Sequence, residues 1–252
     1  MASHDFNWRI LEEIDHRPWP LPVGPWIMTQ TWHDLLFAHW PVDVRAIASS
    51  IPPEFPLDTF DGRAWLGVVP FRMSNVAPRG VPALPWLSEF PELNVRTYVR
   101  VGDKPGVFFF SLDASNTLAV AAAFLSLRLP YYTAAMHVER DADGIHYRSR
   151  RASSRRPAGF TARYAPAGET STPTPGSFEY FLTERYCLYA RHHLGRPYRL
   201  EIHHPPWPLQ PAAAELSRNT MARAAGIHLP AVDPVLHFAK RQDMVAWGPT
   251  FL

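Results

Sequence analysis

The sequence predicts an α+β fold in which a curled, largely antiparallel β-barrel or cone carries three or four helices. Three observations point there. Apolar residues make up 46% of the chain and aromatics 13%, ample for a packed core. Twenty-seven prolines against thirteen glycines break the chain often, which suits short strands joined by rigid turns better than long helices. Strand-like runs also recur in pairs about turn signals, with single helical segments between them.

Taken in order, residues 42–51 (VDVRAIASSI) place apolar side chains at helical spacing and end at Pro52-Pro53, which predicts one short helix. Residues 56–73 set Asp61-Gly62 between two strand-like runs, a hairpin signal because both turn positions must accept positive φ. A second hairpin joins ELNVRTYVRV to GVFFFSL across residues 102–106. Residues 116–127, Ala-rich with an Asn cap and Pro130 beyond, read as a buried helix crossing the sheet. YYTAAMHVER and GIHYRSRR form a third hairpin about residues 141–144, and GFTARYAP adds a strand. The Pro/Thr/Ser/Gly-rich stretch 165–177 reads as an exposed loop. A helix over 177–192 capped by Ser177, the strand PYRLEIHH, a PPWPLQP loop, a short helix near 212–225 and a last strand HFAKRQDMVAW complete the chain. The strands on either side of the 165–177 loop continue one sheet system. The expected organisation is therefore one domain over 1–252, with residues 1–24 as a peripheral N-terminal arm. A curled sheet of this size is expected to enclose a cavity.

Several long segments carry a resemblance: QTWHDLLFAHWPV (30–42), DTFDGRAWLGVVPFRM (58–73), FPELNVRTYV (90–99), PGVFFFSLDA (105–114), TERYCLYA (183–190) and EIHHPPWPL (201–209). Over almost its whole length the chain resembles the YqjF-like family, a domain of unknown function. That family is similar in fold to acetoacetate decarboxylase, so the resemblance implies a cone-shaped β-barrel with an internal pocket. In the decarboxylase a lysine of lowered pKa forms a Schiff base with a keto acid. Its lysine motif is not recognisable here, and the chain has only Lys104 and Lys240. Lys104 falls in a Gly-Asp-Lys-Pro-Gly turn, where solvent should keep its amine protonated. Lys240 shares a strand face with Leu236, Phe238 and Met244; it either points inward or covers apolar surface with its stem at a strand edge.

Candidate ligand-binding residues are Arg96, Tyr98, Glu184, Arg185, His203 and His237. Asn94, Arg96, Tyr98 and Arg100 alternate onto one strand face, which meets either solvent or a wet cavity. Arg185 falls within the apolar stripe of the expected 177–192 helix. It reaches either a ligand anion with its planar fork or a structural carboxylate such as Glu201 or Glu92. Glu184 faces another side of that helix with Tyr180 and Cys187. Among twelve histidines, His192-His193 and His203-His204 are adjacent pairs whose neighbours point to opposite sides of a strand. A metal site would need His33, His39, His203 and His237 together, and single pocket histidines able to move protons are the simpler reading.

No GxSxG elbow, GxGxxG turn or phosphate loop occurs, so no cofactor and no catalytic residue is assigned, and whether the protein is an enzyme stays open. One cysteine, Cys187, excludes an intramolecular disulfide or thiolate zinc cluster and favours a reducing compartment. Without a signal-like amino terminus or an apolar run of about eighteen residues, a soluble cytoplasmic protein is expected. A net charge of +2 gives no reason to expect a nucleic-acid or membrane partner, and the Arg148–Arg156 run reads as a solvated hairpin end. The partner expected is a small-molecule ligand, and homodimerisation is compatible with the aromatic loops. Three functions follow: a pocket that binds a small organic anion or aromatic molecule, a decarboxylase-like lyase acting on a keto acid through Lys240, and a protein-interaction module using the PPWPL loop and the Arg-rich hairpin.

Overall fold

The computed structural model describes residues 6–83, 88–116, 129–151, 155–192 and 194–252. The strands are β1 (Met28–Val42), β2 (Ala64–Pro78), β3 (Phe90–Val101), β4 (Lys104–Ala114), β5 (Tyr131–Asp141), β6 (Gly144–Arg151), β7 (Gly159–Pro166), β8 (Cys187–Arg191), β9 (Pro197–His203), β10 (Leu209–Asn219), β11 (Val235–Ala246) and β12 (Thr250–Phe251). They form one sheet that closes twice, because β4 and β11 each pair with different neighbours at their two ends. Val107 and Phe108 of β4 pair with β8, whereas Leu112–Ala114 pair with β5, both in parallel. Residues 237–239 of β11 pair with β10, and Val245 and Ala246 pair with β9. The result is a mixed nine-stranded ring (β11-β1-β2-β3-β4-β5-β6-β7-β10) and a seven-stranded ring (β11-β1-β2-β3-β4-β8-β9) that share five strands.

Where the shared strands are covered on both faces, as over residues 35–40 of β1 and 64–71 of β2, they read as nearly continuous apolar runs rather than alternating ones. In β1, Leu36, Ala38 and Trp40 pack with Tyr147, Phe160 and Tyr164 inside the nine-stranded ring. Leu35 and Phe37 pack on the opposite face with Phe71 and Trp207. Asp34, at φ 53°, sits where the β1–β2 register shifts between His33 and Ala38. A one-residue irregularity reverses side-chain alternation, which lets Trp32 and Leu35 join the same cluster. Asp34 is held there by Arg72 at 2.9 Å, Arg140 at 3.4 Å and the Tyr164 hydroxyl, which donates to its backbone oxygen at 2.8 Å.

Among the described residues the helices are short: α1 (Val44–Ala48), α2 (Phe178–Thr183) and α3 (Met221–Ala224), with a 3-10 turn at Trp8–Leu11. Asp43 caps α1 by accepting from the Arg45 and Ala46 amides, and the expected helix over 42–51 stands in this shorter form. The expected 177–192 helix ends after its first turns. Glu184 leaves the helical region at φ −80°, ψ 67°, and Cys187–Arg191 become β8, since pairing with β4 and β9 overrides local helix periodicity. The helix expected near 212–225 is mostly strand β10, whose Ala212, Ala214 and Leu216 pack on the core at a period of two. The turn at Asp61-Gly62 forms with both residues at positive φ, but the chain before it makes only isolated bridges. The helix expected over 116–127 lies almost entirely outside the described residues.

The arm preceding β1 lies along β9: the His203 ring meets the Ile10 oxygen at 2.6 Å, and Arg17 donates to the Ile202 oxygen at 2.7 Å. The Arg148–Arg156 run is not uniformly solvated, because Arg151 is buried in a bidentate pair with Asp113 at 2.9 and 2.6 Å. Nearby, buried Glu92 accepts from the Tyr131 hydroxyl at 2.9 Å, and desolvation pushes its carboxyl up to about 8. A carboxyl whose pKa is higher folded than unfolded binds its proton more tightly in the native state. Its stabilising contribution is complete below the unfolded value near 4.5 and is lost as pH rises through about 8. Replacing Glu92 with Gln is therefore expected to flatten the fall in stability between these pH values, by about 1.4 kcal/mol for every tenfold gain in proton affinity that folding confers on the carboxyl. Urea denaturation at pH 5 and pH 8 checks this, and parallel wild-type and variant profiles contradict it.

Candidate functional site

The site lies on the face of the shared sheet that looks into the seven-stranded ring. Register places His39 of β1 opposite Gly67 of β2, and Gly67 opposite Arg96 of β3, so the three form one row across the sheet. Flanking rows carry His237, Phe37 and Asn94 on one side and Trp65 and Tyr98 on the other. Gly67 makes the row possible. A Cβ there would stand 2.9 Å from His39 Nε2 and 3.4 Å from Arg96 Cγ, so only a residue without a side chain lets these two groups lie side by side.

His39 is fully buried, and its Nε2 lies 2.6 Å from the Tyr98 hydroxyl. Burial first, and then the nearby Arg96 and His237, lower the His39 pKa well below its ordinary value, so the ring is neutral at physiological pH. The Tyr98 pKa is raised by burial against the opposing pull of Arg96 and Arg185, so its hydroxyl keeps its proton. Guanidinium groups only donate, which leaves His39 Nε2 as the acceptor for the Tyr98 O–H. A neutral imidazole that accepts at Nε2 carries its hydrogen on Nδ1, and that buried Nδ1 has no partner among the described residues.

Arg96 is held between aromatic faces, its guanidinium carbon 5.3 Å from the Phe37 centroid and 5.8 Å from that of Tyr98. It makes a long donation to the Leu182 oxygen at 3.3 Å, and its Nε is buried and unpaired among the described residues. The indole Nε1–H groups of Trp65 and Trp207 are likewise unpaired, as is Asn94 Oδ1. Trp207 meets Phe37 edge to face at 5.0 Å. Donors without acceptors thus dominate one patch whose lining is otherwise Phe37, Phe178 and Phe181.

Helix α2 covers the patch. Phe178 lies 4.3 Å from Trp65 and Phe181 5.0 Å from Tyr98, measured between ring centroids. Arg185 fastens the end of α2 by donating to the Phe181 oxygen at 2.5 Å and to Asp58 at 2.6 Å. His237 lies 3.7 Å from Glu179 on the same helix.

The structure thus gathers Arg96, Tyr98, Arg185 and His237, and adds His39, Gly67, Asn94, Trp65 and Asp58. Arg185 is tied to Asp58 rather than to Glu201 or Glu92. Glu184 accepts from the Trp207 amide at 2.9 Å and the Tyr186 hydroxyl at 2.5 Å, behind the patch. His203 lies under the N-terminal arm, apart from the row, and its pKa is lowered to about 4, chiefly by burial. His33 contacts Ser74, and among the described residues no three His, Cys, Asp or Glu side chains converge as a metal would require. Lys240 is exposed. Lys104 is not the free turn amine expected, because β4 starts at it and its Nζ lies 2.8 Å from Glu201 and 5.2 Å from the Trp19 ring centroid. Cys187 is buried, and burial pushes its thiol up to about 12, so it is unreactive. Open concavities of about 530 and 450 Å³ lie elsewhere, the first against Phe6, Pro205 and Arg241, the second on the outer wall of β5, β6, β7 and β10.

The spacing of His39 within an apolar run was the available sequence signal for its inward position. Gly67 carried none, because its role depends on two other strands. Replacing Gly67 with Ala is expected to separate the His39–Tyr98 pair and cost about 1–3 kcal/mol as overpacking. Denaturant unfolding, with the imidazole resonance followed by NMR, checks both effects; an unshifted resonance at wild-type stability contradicts them.

The family model for DUF2071, described as an uncharacterized conserved protein, matches residues 29–243. The uncharacterized protein YqjF of Bacillus subtilis (strain 168) is 46% identical over 236 residues, covering 94% of this chain and 97% of that protein. Among solved structures, the enduracididine biosynthesis enzyme MppR with HEPES buffer bound superposes with a TM-score of 0.62 at 11% identity, covering 91% of this chain and 89% of that one. MppR complexed with pyruvate gives 0.59 at 11% identity over 94% and 93%. Acetoacetate decarboxylase of Legionella pneumophila gives 0.60 at 13% identity over 100% and 98%. At these identities the structural likeness establishes the fold alone: an acetoacetate decarboxylase-like barrel. The strand order, the family match and the close relative agree, and the chain belongs to the YqjF-like family of uncharacterized conserved proteins, DUF2071.

Proposed function

We propose that the protein binds a small organic anion against the His39–Gly67–Arg96 row, beneath helix α2. One observation carries the reading: Arg96 has no carboxylate within ion-pair distance among the described residues, and the unpaired groups around it are mostly donors. Leaving a cation half-buried without a counter-charge costs several kcal/mol in general, and a bound carboxylate offsets that cost while accepting from the planar fork. Phe37, Phe178, Phe181 and Trp65 supply the apolar lining typical of small-ligand sites, with a few polar groups to orient the ligand. The pyruvate bound by the structural neighbour MppR is a ligand of this class.

Neither lysine supports a Schiff-base lyase at this row, since Lys240 is exposed and Lys104 is engaged by Glu201. The reading is therefore recognition without a lysine adduct. Because α2 lies against the row, with its end fastened by the Arg185–Asp58 pair, entry of a ligand requires this helix to shift.

An unmatched cation kept for binding leaves a signature in stability. Replacing Arg96 with Met keeps an apolar stem and removes the charge, and the variant is expected to be as stable as wild type or up to about 2 kcal/mol more stable. Thermal shifts with pyruvate, benzoate and phenylpyruvate measure both consequences. At about a hundred times its Kd, a bound acid should stabilise wild type by roughly 2.7 kcal/mol and leave the variant unmoved. A variant that loses stability while keeping the wild-type ligand response makes Arg96 a structural residue and sinks the reading.

A further inference from the structure

We propose that His39 and Tyr98 form a proton relay that protonates the bound anion, giving the site a keto–enol tautomerase activity toward 2-oxo acids. The inference rests on the anion site proposed above and adds a reaction to it. Its geometric basis is the chain of contacts already described: Tyr98 O–H to His39 Nε2 at 2.6 Å, and a buried Nδ1–H at the other edge of the ring, unpartnered among the described residues. Two guanidinium groups stand over the tyrosine, Arg185 at 5.0 Å and Arg96 at 5.8 Å from its ring centroid. Buried polar atoms are ordinarily hydrogen-bonded, so the unpartnered Nδ1 is a group whose presence calls for an explanation.

His39 Nδ1–H passes to the enol carbon of the substrate, forming a C–H bond as the C=C pair is drawn to carbon. At the same time the Tyr98 proton passes to His39 Nε2. The imidazole stays neutral throughout, which suits a ring buried beside Arg96, and the negative charge appears on the Tyr98 oxygen, where the pull of Arg96 and Arg185 opposes the cost of burial. The enol hydroxyl then loses its proton as the carbonyl forms, and that proton returns through solvent to the Tyr98 oxygen. The imidazole regains its starting tautomer by exchange with water. Nothing is oxidised or reduced, and neither lysine takes part. Arg96 holds the substrate carboxylate, and the aromatic lining favours a substrate with a planar apolar end, such as an arylpyruvate.

Phenylpyruvate, whose enol decays measurably in the ultraviolet, is the probe. Wild type is expected to accelerate its ketonisation at least tenfold over buffer, whereas Tyr98→Phe, which keeps the ring and removes the relayed proton, should fall to the buffer rate. Thermal shift with phenylpyruvate runs in parallel, and a rate lost while a shift is retained separates loss of the relay from loss of binding. Phenylpyruvate binding without acceleration by wild type, or undiminished acceleration by a folded Tyr98→Phe protein, overturns the relay and leaves the anion site standing. No thermal shift and no acceleration overturns both. If Tyr98→Phe fails to fold, His39→Gln takes its place, with the same loss of rate expected and an undiminished rate overturning the relay.

Discussion

Five strands buried on both faces are the constraint on which the rest of the structure depends. β1, β2, β3, β4 and β11 serve two rings at once, so neither face of this sheet is available to water in the way an ordinary antiparallel sheet offers one face. The eight residues from Ala64 to Phe71 are all buried, and the run from Leu35 to Trp40 is as well. Every polar side chain placed on these strands must be paired, or it costs desolvation free energy. The two rings in turn depend on forked pairing at β4 and β11, where one strand changes partner along its length.

Most buried charge in the molecule obeys that constraint. Asp113 has Arg151, Asp58 has Arg185, and Glu201 is surrounded by Lys104 at 2.8 Å, Arg199 at 3.0 Å and the Trp19 indole at 2.8 Å. In the row through Gly67, Arg96 Nε and His39 Nδ1 meet no described acceptor, and Arg96, unlike Arg151 and Arg185, has no carboxylate partner among the described residues. Arg151 and Arg185 are each matched by a carboxylate, and the absence of one beside Arg96 is what the anion-binding proposal accounts for. The glycine at the centre of that row supports the same view, since the strand gives up a side chain so that a histidine and an arginine can be neighbours.

A fold shared with acetoacetate decarboxylase does not by itself carry that enzyme's chemistry over. The barrel is common to both, but the two lysines of this chain lie away from the row: one in solvent, the other in a structural ion pair. What occupies the inner face is a histidine, a tyrosine and an arginine, groups that bind anions and move protons without forming a covalent adduct.

The sequence by itself determined the barrel class, the hairpins about residues 102–106 and 141–144, the turn at Asp61-Gly62 and the polar alternation that puts Asn94, Arg96 and Tyr98 on one face, because each is fixed by neighbours within a few residues. It misread 184–191 and 212–219 as helix. There the helical spacing of Leu188 and Tyr189, or the alanines of β10, is outweighed by hydrogen bonds to strands distant in sequence. It also placed His203 and Glu184 with the ligand residues and had no means of finding Gly67 or Asp58. Only the tertiary structure decided that the polar face of β3 is enclosed as well as the apolar one, which carboxylate holds Arg185, and that His39, Gly67 and Arg96 stand in a row. Those relations are set by register between strands and by closure of the two rings, and residues about 30 positions apart carry no local signal of meeting.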